Sequence, residues 1–266
     1  GDVLLISAEP HPLYSRVLLP SYVADEIGRE KVVMRSLRDY AKRRIQFLPS
    51  ERVVSVDPER HAVRTATGAA FGYDALLVAS GGRVAEWRSG TAVSDRVFRL
   101  QTVDDAERLR EFFTRHPAGG RAVVVGGGLI ALEFVEIFRA RKFNVTILVR
   151  GERLWDGAWA DPADHDRLLE LWKKNGVESV LGDSVFRCAS EGDGVIVHTR
   201  RGRAIRALGI AVGVGSEREP AFFPAAYVKN GVIETDAYLK TGAPDIWAAG
   251  DVALCRDNGV AQGSRN

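Results

Sequence analysis

The chain has 266 residues, 45% hydrophobic and 27% charged, the composition of a globular protein of one or two domains. Lys and Arg total 37 against 35 Asp and Glu, a net charge of +2, which argues against a dedicated nucleic-acid-binding or membrane-surface protein. The two cysteines, Cys188 and Cys255, form neither a disulfide framework nor a CxxC pair and fit a reducing, cytoplasmic setting; the five histidines lack metal-ligand spacing, and no apolar stretch approaches bilayer-spanning length.

In chain order, residues 2–7 read as a strand, followed by the loop EPHPLYSR. VLLPSYVADEIG begins as a helix, and RSLRDYAKRRIQFLPS reads as a helix and then a strand. Short strands joined by turns follow to the buried strand 75–79, which ends at Gly81 and Gly82. DDAERLREFFTRH is a helix with an acidic start, favourable to its dipole.

The most informative segment is RAVVVGGGLIALE. An apolar strand over 122–125 runs into Gly126, Gly127 and Gly128 and then into a helix expected over 129–141. Gly126 permits a tight turn, Gly128 lets the backbone approach a pyrophosphate, and Ala131 is small enough for close helix–strand packing. N–H groups at the helix start then face the phosphates. A second strand, 144–149, completes a βαβ unit.

Downstream, DPADHDRLLELWKKNGV reads as a helix capped by Asp161, with Pro162 in its first turn and Gly176 at its end. The stretch from Asp183 to Glu217 then repeats the pattern of residues 51–82: strand, charged turn, strand, turn, buried strand ending in glycine. Two nucleotide-binding units of similar build are implied. The final stretch, GVIETDAYLKTGAPDIWAAGD, gives a strand, a turn and a strand ending at Gly250 and Asp251. Gly182-Asp183-Ser184, which has the look of a nucleophile motif, lacks a His partner and reads as a turn. RRGRAIR, 200–206, reads as a solvated hairpin turn rather than a nucleic-acid patch.

The motifs EPHPLYSR, YDALLVASGG, VVVGGGLIALE, AVGVG and IWAAGD, in this order, resemble the two-dinucleotide-binding-domain flavoproteins of the pyridine nucleotide-disulfide oxidoreductase family, nearest the ferredoxin, rubredoxin and nitrite reductase branch. The resemblance implies an α/β fold with two Rossmann-like domains of the glutathione-reductase type, the second inserted in the first. Residues 1–100 and 221–266 would form the FAD part and residues 101–220 the NAD(P)H part. It implies FAD and NAD(P)H as cofactors and no metal. Glu9 would bind the adenosine ribose, Arg16 would lie near the FAD phosphates, and Val53 and Val54 would lie beside the adenine. Ser80 and Gly81 stand for the family's Thr-Gly pair, and Asp251, next to Gly250, would accept a hydrogen bond from the ribityl chain. Gly126, Gly127, Gly128, Ile130 and Gly213 would line the NAD(P)H site, with Glu133 as the catalytic-site carboxylate near the nicotinamide–flavin contact.

Arg150 occupies the end of the second strand, where NADH sites carry an acid, and with Arg153 it favours NADPH; Glu152 nearby argues the other way. No cysteine lies between Glu9 and Glu26, which excludes a thiol relay there, and Ser21 stands where ferredoxin reductases often have a lysine. The resemblance implies hydride transfer from NAD(P)H to flavin and onward to a small redox protein or iron–sulfur domain. A cysteine-independent NADH oxidase and a nucleotide-binding module without turnover are the alternatives. Gly1 opens directly into a strand, and Asn266 follows a motif that normally leads into a helix, so both ends are expected to be cut. The family's first glycine fingerprint and its C-terminal interface domain, which implies a homodimer in the full-length protein, are expected to lie outside these residues.

Overall fold

The computed structural model describes residues 1–155, 161–218, 220–257 and 260–262. They group into two compact units.

One unit comprises Ser15–Val32 and Val84–Gly215. Its centre is a five-stranded parallel sheet, in the order Val177–Leu181, Asn144–Val149, Arg121–Val125, Gly209–Val212, Val97–Phe98. The three inner strands read as nearly unbroken runs of Val, Ile and Ala because both faces are covered; Val123, Val124, Ile147, Ile210 and Ala211 are fully buried. Helices Val103–Arg115, Leu129–Ala140 and Pro162–Lys174 accompany the sheet. Phe112 and Phe113 of the first and Phe134 and Phe138 of the second are buried, and Phe143 joins them; Phe113 and Phe138 meet edge to face at 5.3 Å. Thr102 caps the first helix in a reciprocal box with Asp105. Asp161 caps the third through Ala163 N–H at 2.8 Å, and Gly176 follows that helix at φ +76°.

An antiparallel meander, Val185–Glu191, Gly194–Thr199 and Ala204–Ala207, precedes the Gly209–Val212 strand. The basic run at 200–206 spans its second turn and last strand.

Ser15–Val32 holds to this unit through polar contacts. The Tyr22 hydroxyl donates to Glu107 at 2.8 Å, and Asp25 accepts from Arg110 at 3.0 Å and faces Arg141 at 3.3 Å.

The other unit contains Gly1–Tyr14, Val33–Arg83 and the described residues from Ser216 onward. It holds two separate parallel pairs, Val3–Ile6 with Ile45–Leu48 and Leu76–Val78 with Ile246–Ala248. Its meander, Val53–Asp57, Ala62–Thr65 and Ala70–Gly72, has the build of the first unit's. The core gathers Val56, Val63, Val78, Ile233, Ile246, Ala248 and Val252. Apolar side chains are exposed on both parallel pairs, Val3 at 53% and Leu77 at 62%.

The compact units divide after Arg83 and after Gly215, and Ser15–Val32 groups with the central segment. Among the described residues no helix is long and apolar enough to cross a membrane.

Candidate functional site

The glycine turn sits at the carboxyl edge of the parallel sheet, where α/β folds bind ligands. Gly126 has φ +127°, and a Cβ there would lie 2.1 Å from the Gly213 carbonyl oxygen. Gly213 in turn presses on Ala131, with a Cβ placed 2.6 Å from the Ala131 nitrogen. These two glycines and Ala131 let the helix start approach the strand ends. Gly127 is tight as well, its Cβ direction blocked by Val149 Cγ1 at 2.7 Å.

Gly128 differs. It has ordinary extended backbone at φ −93°, and a Cβ there would meet nothing within 4 Å. It is the N-cap of the 12-residue Leu129–Ala140 helix, yet no side chain caps that end and no acid occupies the first turn. Leu129 and Ile130 are exposed at 46% and 41%. An open helix start of positive dipole, free of acids and flanked by glycine, suits a bound phosphate.

The Asn144–Val149 strand ends beside this turn; Gly126 N–H donates to Leu148 O at 3.0 Å. Arg150 follows, exposed, and Arg153 is half-buried. Glu152 leans over Gly182 and lies 3.7 Å from Arg201 of the basic hairpin turn. Several hydrogen bonds hold the 150–155 segment: Trp155 N–H donates to Gly127 O at 2.5 Å, Leu154 N–H donates to His165 Nε2 at 3.1 Å, and Gly151 O accepts from Gly182 N–H at 2.9 Å. Glu133, half-buried, has its carboxyl held above the usual range by burial, with the neighbouring Glu136 carboxylate adding to the effect. Asp183 is buried: its Oδ1 accepts from Ser184 N–H at 2.7 Å and from Arg201 N–H at 3.2 Å, so it organises the turn on which Arg201 stands.

In the other unit, Glu9 lies past the end of the Val3–Ile6 strand, half-buried, and its Oε2 accepts from the Tyr14 hydroxyl at 2.5 Å. Val53 and Val54 open the meander, Val54 being 47% exposed. Leu76–Val78 and Ile246–Ala248 run parallel and end together, and Ala249 N–H donates to Val78 O at 2.9 Å. Ser80, Gly81, Gly250 and Asp251 therefore meet at one carboxyl edge. Gly81 and Gly250 have positive φ, +68° and +77°; Asp251 lies inside a short 3-10 turn whose N-cap is Ala249, and its carbonyl accepts from Arg218 Nε at 2.8 Å. Arg16 belongs to the first unit, and its guanidinium donates to the Gln101 carbonyl.

Sequence reasoning gave no role to Tyr14 or His165, and read Asp183 only as part of a turn without its hydrogen bonds. Each acts through a hydrogen bond that no short motif announces. Cys188 is buried with its thiol pushed up to about 11, the profile of an inert packing residue. Among the described residues no group of three or more His, Cys, Asp or Glu is placed to hold a metal ion.

Fold and site together define a two-unit α/β protein of the dinucleotide-binding class. The chain belongs to the pyridine nucleotide-disulphide oxidoreductase family, whose pattern it matches over residues 1–265. It is 29% identical over 259 residues to the 3-phenylpropionate/cinnamic acid dioxygenase ferredoxin–NAD(+) reductase component of Photorhabdus laumondii, covering 97% of this chain and 64% of that one. It is 32% identical over 237 residues to the peroxisomal monodehydroascorbate reductase 1 of Arabidopsis thaliana, covering 85% of this chain and 52% of that protein. The reductase chain in the covalent putidaredoxin reductase–putidaredoxin complex superposes with a TM-score of 0.89 at 26% identity, covering 97% of this chain and 63% of that one. The chain thus spans under two thirds of the length of each of these three proteins.

Proposed function

We propose that the chain carries the nucleotide-binding units of a cytoplasmic FAD-dependent NAD(P)H oxidoreductase that passes electrons to a small redox or iron–sulfur protein. One observation carries the reading: the uncapped, acid-free helix start at Gly128, set at the carboxyl edge of a parallel sheet. The names of the similar proteins, a ferredoxin reductase component and a putidaredoxin reductase, support the electron-acceptor class.

The residues fit both cofactors. Gly128 leaves room for a pyrophosphate, and the main-chain N–H groups of the helix start would bind it. In the other unit, Glu9 is an acceptor of the kind that ribose hydroxyls need, steadied by Tyr14. Ser80, Gly81, Gly250 and Asp251 form the edge that would take the flavin side chain. Bound FAD supplies the redox chemistry, taking a hydride and releasing electrons singly. The half-buried Glu133, its carboxyl held above the usual range by burial and the Glu136 carboxylate, would be the titratable group of the nicotinamide site.

For the coenzyme we propose NADPH. The tip of the Asn144–Val149 strand bears no acid to accept a ribose 2′-hydroxyl, and Arg150 and Arg153 would take a 2′-phosphate. The Photorhabdus relative's name specifies NAD(+), so the residues at this strand tip are the ones to test. Titration with both nucleotides should favour NADPH, and Arg150→Ala should erase most of that preference, about five- to tenfold. An NADH preference untouched by Arg150→Ala overturns the coenzyme assignment. Supplied with FAD, the protein should transfer electrons from NADPH to a ferredoxin faster than it consumes oxygen. Rapid oxygen consumption without ferredoxin reduction would favour an oxidase instead.

A further inference from the structure

We infer that His165 is a positioning residue for the pyridine nucleotide, acting through the backbone of the 150–155 segment. The inference rests on the reading of the glycine turn as the NAD(P)H site.

His165 stands in the first turns of the Pro162–Lys174 helix, and only 3% of it is exposed. Its Nε2 lies 3.1 Å from the backbone nitrogen of Leu154, itself fully buried. An amide N–H can only donate, so Nε2 accepts and the ring proton sits on Nδ1, 3.2 Å from Asp166 Oδ1. One residue on, Trp155 adopts a left-handed backbone at φ +44°, and its N–H donates to the Gly127 carbonyl. The imidazole, Leu154, Trp155 and the glycine turn thus form one chain of contacts. Arg150 and Arg153 hang from the same segment.

The arrangement depends on an acceptor at this place. A side chain without one would leave the buried Leu154 N–H unpaired, a cost the segment would meet by shifting. The segment would then lose one of its anchors, beside the Trp155 N–H bond to Gly127 and the Gly182 N–H bond to Gly151. Among the described residues, the charged groups on the surrounding elements are Asp161, Asp164, Asp166 and Arg167 on its own helix and N-cap, Arg150, Glu152 and Arg153 on the segment, and Asp183 past the Val177–Leu181 strand. Asp164 is paired with Arg167 at 2.8 Å, Glu152 faces Arg201 at 3.7 Å, and Asp183 is bonded to backbone N–H groups. Asp166, largely exposed, places a carboxylate oxygen 3.2 Å from the imidazole Nδ1.

The test is equilibrium titration of the 266-residue protein with NADPH at one fixed pH. His165→Leu removes the acceptor and should weaken binding about three- to tenfold, the effect of one backbone hydrogen bond. His165→Gln keeps an acceptor oxygen and should recover most of the parent's affinity. A Leu variant that matches the parent, or a Gln variant that binds no better than the Leu variant, overturns the inference. Failure of the parent to bind NADH or NADPH at all overturns the glycine-turn reading, and the inference with it.

Discussion

At Gly126 and Gly128 one residue type serves two ends. Gly126 is required by the fold: its φ of +127° disfavours any side chain, and a Cβ would strike the Gly213 carbonyl. The fold makes no such demand at Gly128, whose backbone is ordinary and whose Cβ direction is open; under the proposed assignment it is the ligand that requires a glycine there. Gly126→Ala should therefore cost at least about 2 kcal/mol of stability in denaturant titration. Gly128→Val should unfold at nearly the parent's denaturant midpoint yet fail to bind NADPH in calorimetry; unchanged affinity would refute the phosphate assignment. Spacing alone suggested a turn role for Gly126 and a phosphate role for Gly128; what it did not show is the close approach of Gly126 to Gly213, far away in sequence. His165 was illegible for a related reason: its partner is a backbone N–H eleven residues earlier, in a segment without periodicity. Glu133 allows a further test. Burial raises its proton affinity in the folded state above the usual value of 4.5. The folded form therefore favours the protonated acid; that contribution is full below pH 4.5 and is lost as pH rises through the raised folded value. Glu133→Gln should stabilise the protein at neutral pH and be neutral below pH 4.5, measured as thermal midpoints across pH.

Among the elements, those with strong periodicity were the readable ones. The Arg121–Val125 and Asn144–Val149 strands, the Leu129–Ala140 helix and both meanders follow from apolar runs, turn residues and glycine punctuation. The Leu129–Ala140 helix stops one residue short of the expected 141, where Arg141 takes the C-cap position. The acidic start of the Val103–Arg115 helix was readable as a dipole effect; the structure adds that Asp105 closes a capping box with Thr102. Its carboxylate also accepts from Gln101 N–H at 3.0 Å, so the cap ties the helix to the chain that enters it. Thr102→Ala should cost about 1 kcal/mol in denaturant unfolding, and Thr102→Ser should recover most of it.

The whole molecule is where one sequence reads least directly. Ser15–Val32 lies among residues of one unit in the chain but folds with the other, held by Tyr22 and Asp25 to Glu107, Arg110 and Arg141. Ion pairs between residues some 85 apart leave no local signature. The partition has a measurable consequence under the proposed assignment of NAD(P)H to the unit of Val84–Gly215. Saturating coenzyme should slow amide exchange in the Arg121–Val125 strand and the Leu129–Ala140 helix. The Val53–Asp57 and Ala62–Thr65 strands should exchange as before; protection of these two strands equal to that of the Arg121–Val125 strand would contradict the assignment.

The Trp155 contact with Gly127 has an optical consequence. Its indole, 39% exposed, is fixed by its own backbone to the turn on which the coenzyme would lie. Reduced nicotinamide absorbs light at the wavelengths where tryptophan emits, so an excited Trp155 would hand its energy to a docked dihydropyridine ring. The protein therefore carries its own occupancy gauge. Indole emission should dim as reduced coenzyme loads, dim far less with the oxidised form, and lose part of that response in Trp155→Phe, the remainder coming from the other four tryptophans of the chain.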